Sequence, residues 1–184
     1  MITLRPFDLQ NIGLHFKWNN DKELNYYDSD YPYRLEDFDS FIRRINIITD
    51  ESEVSNFIYE IYASEFDKVI GVIDIMGVDR YNRQCSVDCC IGDKNYRNKG
   101  YGSNALIQAL ELCFEEFGMN KVTTSAFDFN KVWIHVVQKA GFSIEGTLRQ
   151  HVLKGQAYSD KLIFGMLRRE FELAHYSKEN RKFV

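Results

Sequence analysis

The sequence predicts an α/β fold of the mixed, α+β kind: one domain with a largely antiparallel central sheet and flanking helices. Three observations carry this expectation. Residues 56–63, 68–76 and 84–92 are strand-like runs, the last two joined by a short polar turn at 79–83, as in an antiparallel meander. Residues 103–117 repeat apolar side chains at Ala105, Leu106, Ala109, Leu110, Cys113, Phe114 and Phe117, three and four apart, which is helical spacing. Residues 142–153 and 158–167 flank a turn at Lys154-Gly155-Gln156 and read as two long strands.

Taken in order, residues 2–5 form a short strand stopped by Pro6, and Asp8 is placed to cap a helix reaching Trp18. Residues 19–33 are polar and aromatic and read as loop with a short helix. Residues 36–46 carry Phe38, Phe41, Ile42 and Ile45 on one helical face. The meander follows, then the polar, glycine-containing stretch 93–102, then the helix 103–117, ended by Gly118. Lys121–Phe127 is a β-branched strand, and Asn130 caps a helix through Ala140 that Gly141 closes. The expected order is β-α-α-β-β-β-α-β-α-β-β. Residues 168–184 are charged and expected outside the core, which places the domain at 1–170 and a charged tail at 171–184.

Composition excludes several classes. The 184 residues suffice for one domain with a real core, and 45% of them are hydrophobic. No run of about 18 apolar residues offers a membrane span. The start, Met1-Ile2-Thr3-Leu4-Arg5-Pro6, lacks a basic-then-apolar signal region, so a cytoplasmic location is expected. The cysteines Cys85, Cys89, Cys90 and Cys113 form no C-x-x-C pair and the histidines are scattered, so no metal site is expected. A net charge of −4 argues against nucleic acid as partner and is compatible with a cationic substrate.

The strand-to-helix junction holds the strongest chemical signal. It runs Cys90-Ile91-Gly92-Asp93-Lys94-Asn95-Tyr96-Arg97-Asn98-Lys99-Gly100-Tyr101-Gly102 and then enters the helix. A helix N-terminus presents unpaired N–H groups and a partial positive charge, and glycines let a phosphate approach the backbone. Arg97 and Lys99 add charge. No Gly-Lys-Ser/Thr follows, so this is not a Walker loop, and the glycines do not fit the dinucleotide fingerprint.

The segment Arg97-Asn98-Lys99-Gly100-Tyr101-Gly102, with Cys113-Phe114-Glu115-Glu116-Phe117-Gly118, Asn130, Gln138-Lys139-Ala140-Gly141-Phe142 and Glu145-Gly146-Thr147-Leu148-Arg149 in order behind it, resembles the GCN5-related N-acetyltransferase superfamily. The likeness is narrowest to the branch of ribosomal-protein N-terminal and spermidine acetyltransferases and covers about residues 1–170. It implies acetyl-CoA as cofactor and a cleft where the strand before the loop splays from its neighbour. It also implies that the backbone of Cys89, Cys90, Ile91 and Gly92 bonds the pantetheine arm, and that the amides of Arg97, Asn98, Lys99, Gly100, Tyr101, Gly102 and Ser103 hold the pyrophosphate. Asn130 is either an N-cap, a cofactor contact, or both. Lys139 either approaches the adenosine phosphate or is solvated.

The chain departs from the family pattern where acid and base are expected. The usual Tyr on the second helix is Val137, which holds no proton, and the usual Glu on the strand before the loop is Ser86. Asp74 and Asp88 are the candidate catalytic residues that remain, as strand carboxylates bordering the acceptor site. His135 lies about 200° round the helix from Val137 and replaces it poorly. His151 and Tyr158 are more distant candidates. For the acceptor, Trp18, Asn19, Tyr26, Tyr27, Asp28, Asp30 and Tyr31 form an acidic aromatic cluster suited to a cation, with Trp18 and Tyr31 as substrate-binding candidates. The competing reading is a hydrophobic plug with solvated carboxylates.

These residues together give an N-acetyltransferase moving acetyl from acetyl-CoA to a primary amine by direct attack. The acceptor is a polyamine, a protein N-terminus, an amino sugar or an antibiotic. The departure at Val137 keeps open a CoA-binding sensor with little catalysis, and the loop alone also suits a nucleotide-binding module. A homodimer is open, and neither nucleic acid nor membrane is an expected partner.

Overall fold

The computed structural model describes residues 1–48 and 55–175. In chain order the elements are β1 Ile2–Pro6, α1 Ile12–Asn19, α2 Lys22–Asp28, α3 Phe38–Ile48, β2 Phe57–Ala63, β3 Lys68–Asp79, β4 Gln84–Cys90, α4 Tyr101–Glu111, β5 Lys121–Phe127, α5 Lys131–Ala140, β6 Ser143–Lys154, β7 Ala157–Leu167 and α6 Arg168–His175. The strands form one seven-stranded sheet in the order β1-β2-β3-β4-β5-β7-β6. Every neighbouring pair is antiparallel except β4 and β5. The mixed, largely antiparallel α/β sheet expected from the sequence is therefore the fold observed.

Local chemistry sets the element ends. Asp21 caps α2 by accepting from the amides of Glu23 at 2.8 Å and Leu24 at 3.2 Å. Asp37 accepts from Ser40 N at 2.9 Å, so α3 starts at Phe38 and not at 36 as expected. At the far end of α4 the chain widens into a π turn over Leu112–Glu116, closed by Phe117 N donating to Leu112 O at 2.9 Å.

The core lies where α4 covers the sheet. Ile70, Ile73, Ile75 and Val87 meet Leu106, Leu110 and Phe114, all fully buried, and Ala105 and Ala109 let the helix approach closely. Gln108 ties α4 to β1: its side chain accepts from Leu4 N and donates to Ile2 O, both at 3.1 Å. The expectation that everything after Arg168 lies outside the core is corrected. Residues 168–175 form α6, whose Phe171 is 1% exposed and lies against Phe114 with ring centroids 5.0 Å apart. A buried aromatic on one face of a helix that also carries four charged residues is enough to dock it. Residues 176–184 of the expected tail fall outside the described residues.

Candidate active site

The site begins with a break in the sheet. Strands β4 and β5 pair only at Gln84, Cys85 and Ser86, opposite Lys121, Val122 and Thr123. Beyond that point β4 stays with β3 through Cys90, opposite Val72, and β5 stays with β7 through Phe127, opposite Lys161. The two halves diverge and each keeps one unpaired backbone edge facing the gap. A side-chain bond, from Thr124 Oγ1 to Asp88 Oδ1 at 3.4 Å, reaches across.

At the open end of β4 the chain enters the glycine-containing loop. Asp93 turns it by accepting from Asn95 N at 3.0 Å. Asn98 at φ 59° and Gly100 at φ 83° are left-handed, which reverses the chain immediately before α4. Gly100 is the N-cap and no side chain caps the helix; the first backbone bond into it is Asn104 N to Gly100 O at 3.1 Å. The amides of Tyr101, Gly102 and Ser103 are thus left without helical acceptors, which is the donor set an anion needs. The Tyr101 phenol turns away to hydrogen-bond Glu65.

One expectation for this loop is corrected. Arg97 does not offer its guanidinium outward. Its Nε donates to Ile91 O at 2.9 Å, Nη2 donates to Gly92 O at 3.2 Å, and Nη1 lies 3.3 Å from Glu23 of α2. Lys94 is likewise held by Glu23 at 2.7 Å. Arg97 and Lys94 brace the loop against α2, and Lys99 is exposed, its Nζ 5.8 Å from the Tyr96 ring centroid. Trp18 is also corrected as a substrate-binding candidate. It is 8% exposed, and a Cβ built on Gly92 would fall 2.1 Å from its indole ring. Trp18 supports the loop from inside, and Gly92 is glycine because the indole fills that space. Tyr31, the other acceptor candidate, is 79% exposed and lies outside the ring cluster described below.

The splayed edge carries the candidate catalytic pair. Asp74 on β3 and Asp88 on β4 are direct cross-strand partners. Like charges so placed repel. Burial, the charge of Asp88 and that of Asp28 push the Asp74 carboxyl up to about 7, against the pull of Arg44. Burial and Asp28 push Asp88 up to about 6, while the Thr124 hydroxyl and Lys161 act the other way. Asp28 closes α2; its side chain is exposed, yet crowding by protein also raises it. The thiols beside them go the same way. Burial holds Cys89 well above its usual value and pushes Cys90 up to about 12, so both stay protonated near neutrality and are poor nucleophiles.

Facing this pair is an aromatic wall. Tyr26 and Tyr27 from α2 meet Phe129 with centroids 5.0 and 5.9 Å apart, and Phe129 stacks on Phe127 at 5.3 Å. The segment after α2 docks on the β6–β7 hairpin. Lys161 Nζ reaches both Asp30 oxygens at 2.9 Å, Lys154 Nζ donates to Ser29 O at 2.6 Å, and His151 lies 3.9 Å from Asp30. The sequence cluster therefore divides: Tyr26, Tyr27, Asp28 and Asp30 border the cleft, while Asn19 is engaged with Glu36 and Arg44. Phe127, Phe129 and Thr124 were not read from the sequence. Two phenylalanines flanking Asp128, just before the Asn130 cap, were the available signal.

Of the remaining candidates, Asn130 caps α5 by accepting from Trp133 N at 3.2 Å. Val137 is fully buried in the core. His135 and Lys139 are exposed, and Tyr158 is 63% exposed. No helix among the described residues is long and apolar enough to cross a membrane.

Comparison with known proteins agrees with this geometry. Residues 1–143 match the family model described as the acetyltransferase (GNAT) domain. An SPbeta prophage-derived N-acetyltransferase, YokL, of Bacillus subtilis is 32% identical over 126 residues, covering 68% of this chain and 71% of that protein. The N-acetyltransferase p20 of Bacillus licheniformis is 24% identical over 171 residues, 92% of this chain and 94% of its own. Among solved structures, spermidine N-acetyltransferase of Vibrio cholerae in complex with CoA and spermine superposes with a TM-score of 0.84 at 19% identity, covering 92% of this chain and 97% of the other. That last likeness is one of fold.

Proposed function

The chain belongs to the acetyltransferase (GNAT) family and is an N-acetyltransferase, and from that premise we propose that it moves acetyl from acetyl-CoA to a primary amine of a small cationic acceptor, a polyamine before other amines. The observation that carries the reading is the parting of β4 and β5 after Ser86 and Thr123, with unpaired amides at one end and Asp74–Asp88 on its wall. The relative solved with CoA and spermine supports the choice of a polyamine.

The residues present fit a CoA. The free edge of β4 at Cys89–Cys90, with Ile91 and Gly92 beyond it, can pair with an extended amide-bearing arm as a further strand would. The amides of Gly100 to Ser103 can hold a pyrophosphate, and the left-handed Gly100 keeps side chains from its path. Asn130 keeps its amide nitrogen for such a contact while its oxygen caps α5. Bound there, acetyl-CoA supplies a thioester as the acetyl donor. The Asp74–Asp88 pair takes the proton that an aliphatic ammonium must lose before it can attack, because a carboxyl near 7 is half ionised at neutrality. A backbone N–H at the open end of β4 faces the developing oxyanion. The protonated thiols of Cys89 and Cys90 favour direct attack over an acetyl-cysteine.

Val137, buried where relatives of this family carry a tyrosine, favours a second reading: CoA binding with little turnover. The test of the cofactor site is a thermal-shift titration with acetyl-CoA on the wild type and on Gly100→Glu, which strains φ 83° and sets a carboxylate at the pyrophosphate position. Acetyl-CoA at about 100 times its Kd adds about 2.7 kcal/mol to the wild type and nothing to the variant. Equal stabilisation of both would remove the loop from the cofactor site.

A further inference from the structure

Lys154 closes β6 and sends its ammonium into the aromatic wall. Nζ donates to Ser29 O at 2.6 Å and lies 4.8 Å from the Phe127 ring centroid and 5.2 Å from that of Tyr26. Among the described residues it forms no ion pair, although Asp28 and Asp30 are near enough to favour its charge. Lys161, three positions after Tyr158 on β7, also lies over the Phe127 ring, 5.5 Å from its centroid, but it takes both oxygens of Asp30 at 2.9 Å. The carboxylate that fastens α2 to the hairpin is thus already used by Lys161. Lys154 is held instead by ring faces and a carbonyl, the means by which proteins recognise ligand ammonium groups. Burial of its charge is only partly repaid there and lowers its basicity.

Resting on the reading of a cationic acceptor, we propose that Tyr26, Phe127 and the Ser29 carbonyl form a second ammonium subsite of the cleft, filled in the free protein by Lys154, and that an acceptor with two cationic ends displaces Lys154 when it binds. The acceptor class that fits is an aliphatic diamine or polyamine. Its reacting amine lies at Asp74–Asp88 and its far ammonium takes the place of Nζ between the rings. The lysine is only half buried and at a strand end, so its stem can swing to water without disturbing the sheet. Asp28 acts on Asp74, Asp88 and Lys154 alike, and Asp30 acts on Lys154, so their charge favours the exchange of one cation for another. Lys154 is on this account a specificity-determining residue: it charges a toll of one ammonium, which a monoamine has no second cation to meet.

The test compares wild type, Lys154→Met and Lys154→Arg, with a series of unbranched alkane diamines against monoamines of equal length. Thiol release gives kcat and KM, and calorimetric titration of the CoA-loaded protein gives binding without chemistry. In Lys154→Met the best diamine binds more tightly and its KM falls by between about two- and thirtyfold, the span of a partly desolvated cation–π contact. Monoamines change less than about twofold, and Lys154→Arg, which keeps a cation in the cage, stays near wild type. An unchanged or raised KM for every diamine, or the same gain for diamines and monoamines, overturns the subsite and leaves Lys154 as a fastener of the hairpin. If diamine selectivity appears by calorimetry while no variant releases thiol, the subsite stands and the transfer reading falls.

Discussion

Replacing Asp74 by Asn should stabilise the protein at alkaline pH while removing its activity. The magnitude follows from the site. The Asp74 carboxyl rises from 3.8 to about 7, a change of about 3 units, and each unit is worth about 1.36 kcal/mol. Ionised Asp74 therefore costs the native state up to about 4 kcal/mol, and about 2–4 kcal/mol once its remaining water contact is allowed for. The sign is fixed by proton binding. The native state holds this proton more tightly than the unfolded chain, so the wild type loses stability as pH rises from about 4 to about 7 and bears the full cost above that. At pH 5 less than half of the cost remains. Urea denaturation at pH 5 and pH 8 reads the effect: Asp74→Asn gains about 2–4 kcal/mol at pH 8 and clearly less at pH 5. The same variant cannot accept the acceptor's proton, so kcat/KM falls by about 10²–10⁴ and its rise through neutral pH disappears. A variant no more stable than wild type at pH 8, or equally stabilised at both pH values, would refute the account of this pair.

Two further changes probe the supports of the site. Gly92→Ala drives a methyl group into the Trp18 indole, which is itself buried, and should cost about 1–3 kcal/mol with a matching loss of acetyl-CoA affinity; chemical denaturation and a cofactor titration check it, and an unperturbed variant would separate Trp18 from the loop. Phe171→Ala empties a core position beside Phe114 and should cost about 3–5 kcal/mol in the same denaturation assay, whereas a tail lying outside the core would cost almost nothing.

The legible part of this protein was what depends on local pattern. Apolar spacing placed α4 and the strands, and the capping residues Asn130 and Gly141 marked α5. Cross-strand facts were harder, because they depend on register. Counting inward from Asp79 opposite Gln84 sets Asp74 against Cys89; a bulge between Met76 and Asp79 moves it to face Asp88. One irregular residue thus creates the carboxylate pair, and no pattern of residue types announces it. The role of Trp18 was misread for a similar reason. An aromatic in a polar segment looks like binding surface, and only the facing Gly92 reveals that the ring lies inside. The sequence offers the Arg97 side chain only as added positive charge in a phosphate-type loop. Its planar fork instead satisfies the carbonyls of Ile91 and Gly92 left over where β4 ends.

The most direct measurement is coupled: wild-type protein with acetyl-CoA and a polyamine, following free thiol by colour and the amine by mass. The account predicts one acetylated amine for each thiol released, at a rate that rises through neutral pH. Acetyl-CoA binding without thiol release, across polyamines, peptide N-termini and amino sugars, would contradict it and leave a cofactor-binding protein whose buried Val137 marks the missing chemistry.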